Sequence, residues 1–149
     1  MFRVPAEVKA DPVRRWSLPD RVFFACGACQ VLAYAFLERE AARAQPRPCG
    51  ALWIRPRAGF TGNHIVIAGA DWVFDYHGYS DRLAFLAHTW AKAARWYPGW
   101  DADLVALPQA VLVSEKMSRT YPGLWLREPG QFLHNALPRA RAFLARCPP

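Results

Sequence analysis

The sequence predicts one small α+β domain in which a helix packs on a small antiparallel sheet. Three observations carry that expectation. The chain has 149 residues, 53% of them hydrophobic and 21% charged, which is the size and composition of a single domain that buries its own core. Two β-rich runs, His64 to Ala68 and Trp72 to Tyr76, flank Gly69, Ala70 and Asp71, the pattern of a β-hairpin. Helix-forming stretches with apolar residues at helical spacing lie before and after that hairpin.

Residues 1–19, with Pro5, Pro12 and Pro19, read as an irregular N-terminal arm. Ser17-Leu18-Pro19-Asp20 resembles a capping box with proline in the first turn. From Asp20 to Ala44 the single interruption is Gly27. It divides the stretch into a turn or short helix to about Cys26 and a helix from about Ala28 to Ala44. On that second helix Cys29, Leu32, Ala33 and Phe36 share a face, and Cys29 falls in the first turn. A proline-rich loop follows from Gln45 to Gly50, then a strand from Ala51 to Arg55 and a loop from Gly59 to Asn63. If the hairpin turns on Gly69–Ala70, His64 lies directly opposite Asp75 on one face, with Cβ atoms about 5 Å apart. Ser80 and Asp81 open a helix to about Trp96, with Leu83, Leu86, Ala87 and Trp90 as its inward stripe. Asp103 to Leu107 reads as a strand, and Pro108 to Thr120 fits no single pattern. Pro129 to Arg146 reads as a terminal helix with Phe132, Leu133, Ala136, Ala140, Phe143 and Leu144 inward, kinked or divided by Pro138.

The charge balance is basic, 19 Lys and Arg against 12 Asp and Glu, net +7. The basic residues are scattered, with no run of five, so a solvated arginine-rich surface is expected rather than a nucleic-acid partner. No apolar run approaches the ~18 residues of a membrane span. The first 16 residues lack the apolar stretch of a secretory signal. A cytoplasmic setting is therefore expected, with Cys26, Cys29, Cys49 and Cys147 as thiols.

Those thiols carry the functional lead. A cysteine that opens a helix meets unpaired N–H groups and the positive end of the helix dipole, both of which favour the thiolate. A neighbouring imidazole favours it further, and a carboxylate on the imidazole's other nitrogen fixes the tautomer. Cys29 on a helix, His64 on a strand and Asp75 across the hairpin offer all three, and the Cys29 N–H is placed to help hold an oxyanion.

Cys26-Gly-Ala-Cys29 is similar to the C-G-[SA]-C segment of papain-like cysteine proteases, in which the second cysteine is the nucleophile. Gly27-Ala-Cys29 also resembles the G-x-C start of the nucleophile helix in transglutaminase-like proteins. The order matches too: Cys on an early helix, His on a strand, Asp on the next strand. The resemblance spans roughly residues 26–76. It implies a papain/transglutaminase-like fold and a thiol-dependent hydrolase or acyltransferase acting on an amide bond of a protein or peptide, without cofactor or metal. By that likeness Cys29 is the nucleophile, His64 the base and Asp75 the orienting acid.

Three other readings stand beside this one. Cys26, Cys29, His64 and His77 are four possible zinc ligands. Cys26-x-x-Cys29 has the spacing of a redox motif, although no βαβ pattern surrounds it. Seven tryptophans and two Tyr-Pro-Gly loops fit a non-enzymatic domain that binds a peptide.

Overall fold

A computed structural model describes residues 2–148. The segment expected to be irregular carries two short helices, α1 (Ala6–Ala10) and α2 (Pro12–Trp16). The prolines that looked like breakers sit where a missing N–H costs nothing: Pro5 caps α1 and Pro12 opens α2. Asp11 joins the two, and its carboxylate accepts from the N–H groups of Val13 and Arg14 at 2.9 and 3.0 Å.

Helix α3 (Asp20–Ala25) ends at Cys26, and α4 (Cys29–Ala41) begins three residues later. Pro19 is the N-cap of α3, while the Ser17 hydroxyl donates back to the Val13 carbonyl, so the expected capping box does not form. Gly27 makes the reversal between α3 and α4 with φ of +95°, a conformation that costs glycine almost nothing. A Cβ at this position would also collide with the Arg15 guanidinium.

Strands β1 (Gly50–Pro56), β2 (His64–Ala68), β3 (Trp72–Asp75) and β4 (Gly78–Asp81) follow, then α5 (Arg82–Trp96) and β5 (Ala102–Leu107). The five strands form one antiparallel sheet of order β4-β3-β2-β1-β5. The ambiguous stretch after Pro108 folds as a 3₁₀ turn (Gln109–Val113) and a one-turn helix, α6 (Glu115–Ser118). The terminal helix is shorter than expected. Pro129–Gln131 is a 3₁₀ turn, and α7 runs from Ala136 to Ala145. Pro138 therefore sits in the first turn of α7, where its absent N–H has no partner to lose, and it neither kinks nor divides the helix.

Helix α4 lies across one face of the sheet and is buried on most sides. Phe36 stacks on Phe74 at 4.7 Å and meets Tyr79 at 6.0 Å, in a core shared with Trp53, Ile65, Ile67 and α7. Burying one such phenylalanine contributes about 1.5–3 kcal/mol. On the opposite face Leu52, Val66 and Val73 form a smaller cluster under Phe85 of α5. The inward stripe of α5 is in part the expected one, with Leu86 and Trp90 half-buried. Leu83 is 78% exposed and Ala87 is also exposed, while Phe85 and Ala93 turn toward the protein. Apolar residues lie on most sides of this helix, so periodicity alone does not select the buried face.

At the end of α4, Glu40 is buried and ion-pairs with Arg47 at 2.8 Å, which also donates to the Tyr79 hydroxyl at 3.0 Å. This pair ties the proline-rich loop to the sheet. Among the described residues no helix is long and apolar enough to cross a membrane.

Candidate active site

Cys29 is the first residue of α4, so its N–H and that of Gln30 have no carbonyl within the helix to bond. Its side chain is buried beneath the mouth of a groove. Gln30, also buried, donates from Nε2 to the carbonyls of Gly27 (3.3 Å) and Arg127 (3.0 Å). That use of the amide nitrogen leaves Oε1 to face the Cys29 sulfur, 3.8 Å away. A glutamine that directly follows the cysteine, in the otherwise apolar first half of α4, is the sequence signal of this role.

His64 opens β2. The hairpin pairs Ile67 with Phe74 and Ala68 with Val73. Carried one pair further, this register sets Asp75 opposite Val66, so His64 and Asp75 are diagonal neighbours and not directly opposed as expected. The turn centres on Ala70–Asp71, one position further along than Gly69–Ala70, so each residue's partner shifts by two. Because the slip is by an even number, the face is kept. His64 Nε2 lies 3.0 Å from Asp75 Oδ2. Among the described residues the ring's other nitrogen makes no hydrogen bond, and Cys29 is near enough to add to the effect of Asp75 on the imidazole. The structure thus brings together all three residues singled out in the sequence.

Asp75 is buried, and its Oδ1 accepts the His77 N–H at 2.8 Å. Burial alone would raise its pKa, but the His64 hydrogen bond and charge outweigh burial and hold the carboxyl below the usual range. Burial would likewise lower the His64 imidazole. The hydrogen bond to Asp75 and the charges of Asp75 and Cys29 outweigh it and raise the imidazole to about 9. Tyr76, with its ring 5.4 Å from that of His64, has its phenol pushed up by burial and by the negative charge of Asp75 and Cys29. His77 is half exposed, and its Nδ1 lies 3.4 Å from Asp75 Oδ1. It flanks the carboxylate on the side away from His64. Cys26, the other thiol at this turn, is pushed up by burial.

The groove beside these residues has a volume of about 880 Å³, within the range of ~300–1,000 Å³ typical of ligand sites. Phe85 and His88 of α5 form one wall, with Trp100 and Trp125 on its rim; Trp125 is 62% exposed. Among the described residues no group of three or more His, Cys, Asp or Glu side chains is arranged to hold a metal ion, so the zinc reading finds no site. All four cysteines are free.

No family model, no curated protein and no solved structure matches this chain.

Proposed function

We propose that the chain is a cysteine-dependent hydrolase or acyltransferase acting on an amide bond, a minimal relative of papain-like and transglutaminase-like proteins. The observation that carries this reading is the placement on one groove of Cys29, at a helix N-terminus, and of His64 hydrogen-bonded to Asp75. In this mechanism the thiol proton passes to His64, whose imidazole is raised to about 9, and the sulfur is then free to attack. Sγ bonds to the carbonyl carbon, and the resulting oxyanion faces the unpaired N–H groups of Cys29 and Gln30. His64 then gives its proton to the amine nitrogen as the C–N bond breaks, leaving a thioester on Cys29. Water, or a second amine, attacks that thioester while His64 takes the proton from it, and the thiolate leaves. Asp75 holds the ring in place and balances its charge throughout. An open groove with tryptophans on its rim supports an extended peptide as substrate over a small amide, and four free thiols fit a reducing, cytoplasmic setting.

Residue-resolved iodoacetamide labelling tests the reading. Cys29 is expected to react fastest of the four cysteines at pH 7 in spite of its burial, and its rate to fall about tenfold or more in His64→Ala, the effect of roughly one pKa unit. Slow labelling of Cys29, or a rate indifferent to His64, would leave the groove as a peptide-binding surface with a structural thiol.

A further inference from the structure

The turn that presents Cys29 is flanked by positive charge with no counter-ion. Arg15 of α2 is only 9% exposed. Its Nη2 donates to the Cys26 carbonyl at 2.5 Å and its Nη1 to the Lys9 carbonyl at 3.3 Å, while its buried Nε has no partner. Arg127 borders the same small pocket as Arg15. The two guanidinium groups lie over the same ring, that of Phe132, at 5.6 and 5.5 Å. Among the described residues no ion pair reaches Lys9, Arg15 or Arg127. These three cations border a small pocket of about 140 Å³ and also the adjoining end of the groove. The carboxylate on the groove, Asp75, is already matched by His64.

A purely structural role for Arg15 is to satisfy the Cys26 carbonyl where α3 ends. That role accounts for Nη2. The Lys9 carbonyl likewise accounts for Nη1, and Nε is sealed from solvent, but none of this explains a second guanidinium over the same Phe132 ring. Burying a charge without a partner is costly, and placing two like charges together adds to the cost. A bound anion offsets both, and the guanidinium fork matches the paired oxygens of a carboxylate or phosphate. The pocket has room for one such group with a few waters.

We propose that Lys9, Arg15 and Arg127 form a binding site for a compact oxyanion group, carboxylate or phosphate, carried by the substrate and seated beside the turn that presents Cys29. The assignment to a substrate rests on the thiol reading above; the anion site itself rests on the cluster. The two are joined closely in space. Arg15 holds the Cys26 carbonyl, and the Arg127 carbonyl accepts from Gln30, the residue after Cys29.

The test is a titration of the intact protein with inorganic phosphate and, separately, with glutarate, each against sodium chloride at matched ionic strength, read by thermal shift and calorimetry. A saturable response above chloride is expected. A response to phosphate alone assigns a phosphorylated substrate, and a response to glutarate alone assigns an acidic one. Arg127→Gln and Lys9→Gln should each weaken binding about tenfold, the loss of one charge-assisted hydrogen bond. Arg127→Glu, which supplies Arg15 with a counter-ion from within the chain, should abolish the response without lowering the anion-free melting temperature. Absence of a saturable response, or unchanged affinity in Arg127→Glu, would overturn the site. The same titration on Cys29→Ala needs no nucleophile, so an inert thiol and an absent anion site are separate results. Placement beside the thiol is read from the iodoacetate-to-iodoacetamide rate ratio, which should be higher at Cys29 than at Cys147 and lose that excess when the anion saturates. Equal ratios at the two cysteines would overturn the placement.

Discussion

Replacing Asp75 by asparagine removes one charge and keeps the shape, and its effect on His64 follows from the geometry. The Asp75 side chain is 2% exposed, with Oδ2 on the His64 ring and Oδ1 on the His77 N–H. An asparagine that keeps its carbonyl oxygen on the His77 N–H must turn its NH₂ toward His64 Nε2. That nitrogen then becomes an acceptor, and the neutral ring carries its proton on Nδ1, facing Cys29, where it cannot accept the thiol proton. The imidazole rises from 6.5 to about 9 in the wild type, a net preference for the charged ring of about 3 kcal/mol at 1.36 kcal/mol per pH unit. Burial opposes that rise, so without Asp75 burial has the larger say and the midpoint should fall below the ordinary histidine value of about 6.5. At pH 7 the ring then changes from almost wholly protonated to mostly neutral. The assay is the His64 ring-proton chemical shift followed by NMR from pH 5 to 10 in both proteins, with circular dichroism as the check on folding. A wild-type midpoint near 6.5, or a midpoint that does not move in a folded Asp75→Asn protein, would refute the argument that Asp75 holds the imidazolium.

Two further outcomes follow from the same electrostatics. A protonated His64 stabilises the fold where its folded midpoint lies above its unfolded one. The difference in unfolding free energy between wild type and His64→Gln should therefore be full below pH 6.5 and disappear as pH rises through about 9; urea denaturation at a series of pH values measures it. Glu40 has the opposite sign. Hydrogen bonds from Arg47 lower its carboxyl from 4.5 to about 2, so its contribution is present above pH 4.5 and lost as pH falls through about 2. Glu40→Gln removes the buried carboxylate from a half-buried Arg47 and should cost about 1–3 kcal/mol at pH 7, read as a lower urea midpoint with unchanged slope.

Much of the site was legible in the sequence because its parts are local. Gly27 breaks the helix-forming run, so Cys29 is set at a helix start by residues within three positions of it. The β-rich runs around Gly69 announce a hairpin, and strand parity keeps His64 and Asp75 on one face in any even register. Asp81 caps α5 through the Ala84 N–H at 2.7 Å, a signal contained in four residues. What required the tertiary structure is non-local. The two-residue shift of the hairpin sets the pairing of β2 with β3, and the packing of Phe36 on Phe74 and Tyr79 across the sheet supports it. Strand β4 is four residues long, half-buried and polar, too short for periodicity to reveal; its pairing with β3 makes it a strand. The neighbour of Gln30 is the Arg127 carbonyl, and Arg15 and Arg127 lie over the same Phe132 ring. No pattern within a helix or strand encodes a meeting between residues so far apart in the chain. Local backbone preference and side-chain period set which segments are helix or strand, and which residue opens each. The free energy of burying those segments against one another decided which side chains meet, and that placed the thiol, the imidazole and the unpaired arginines at one end of a groove.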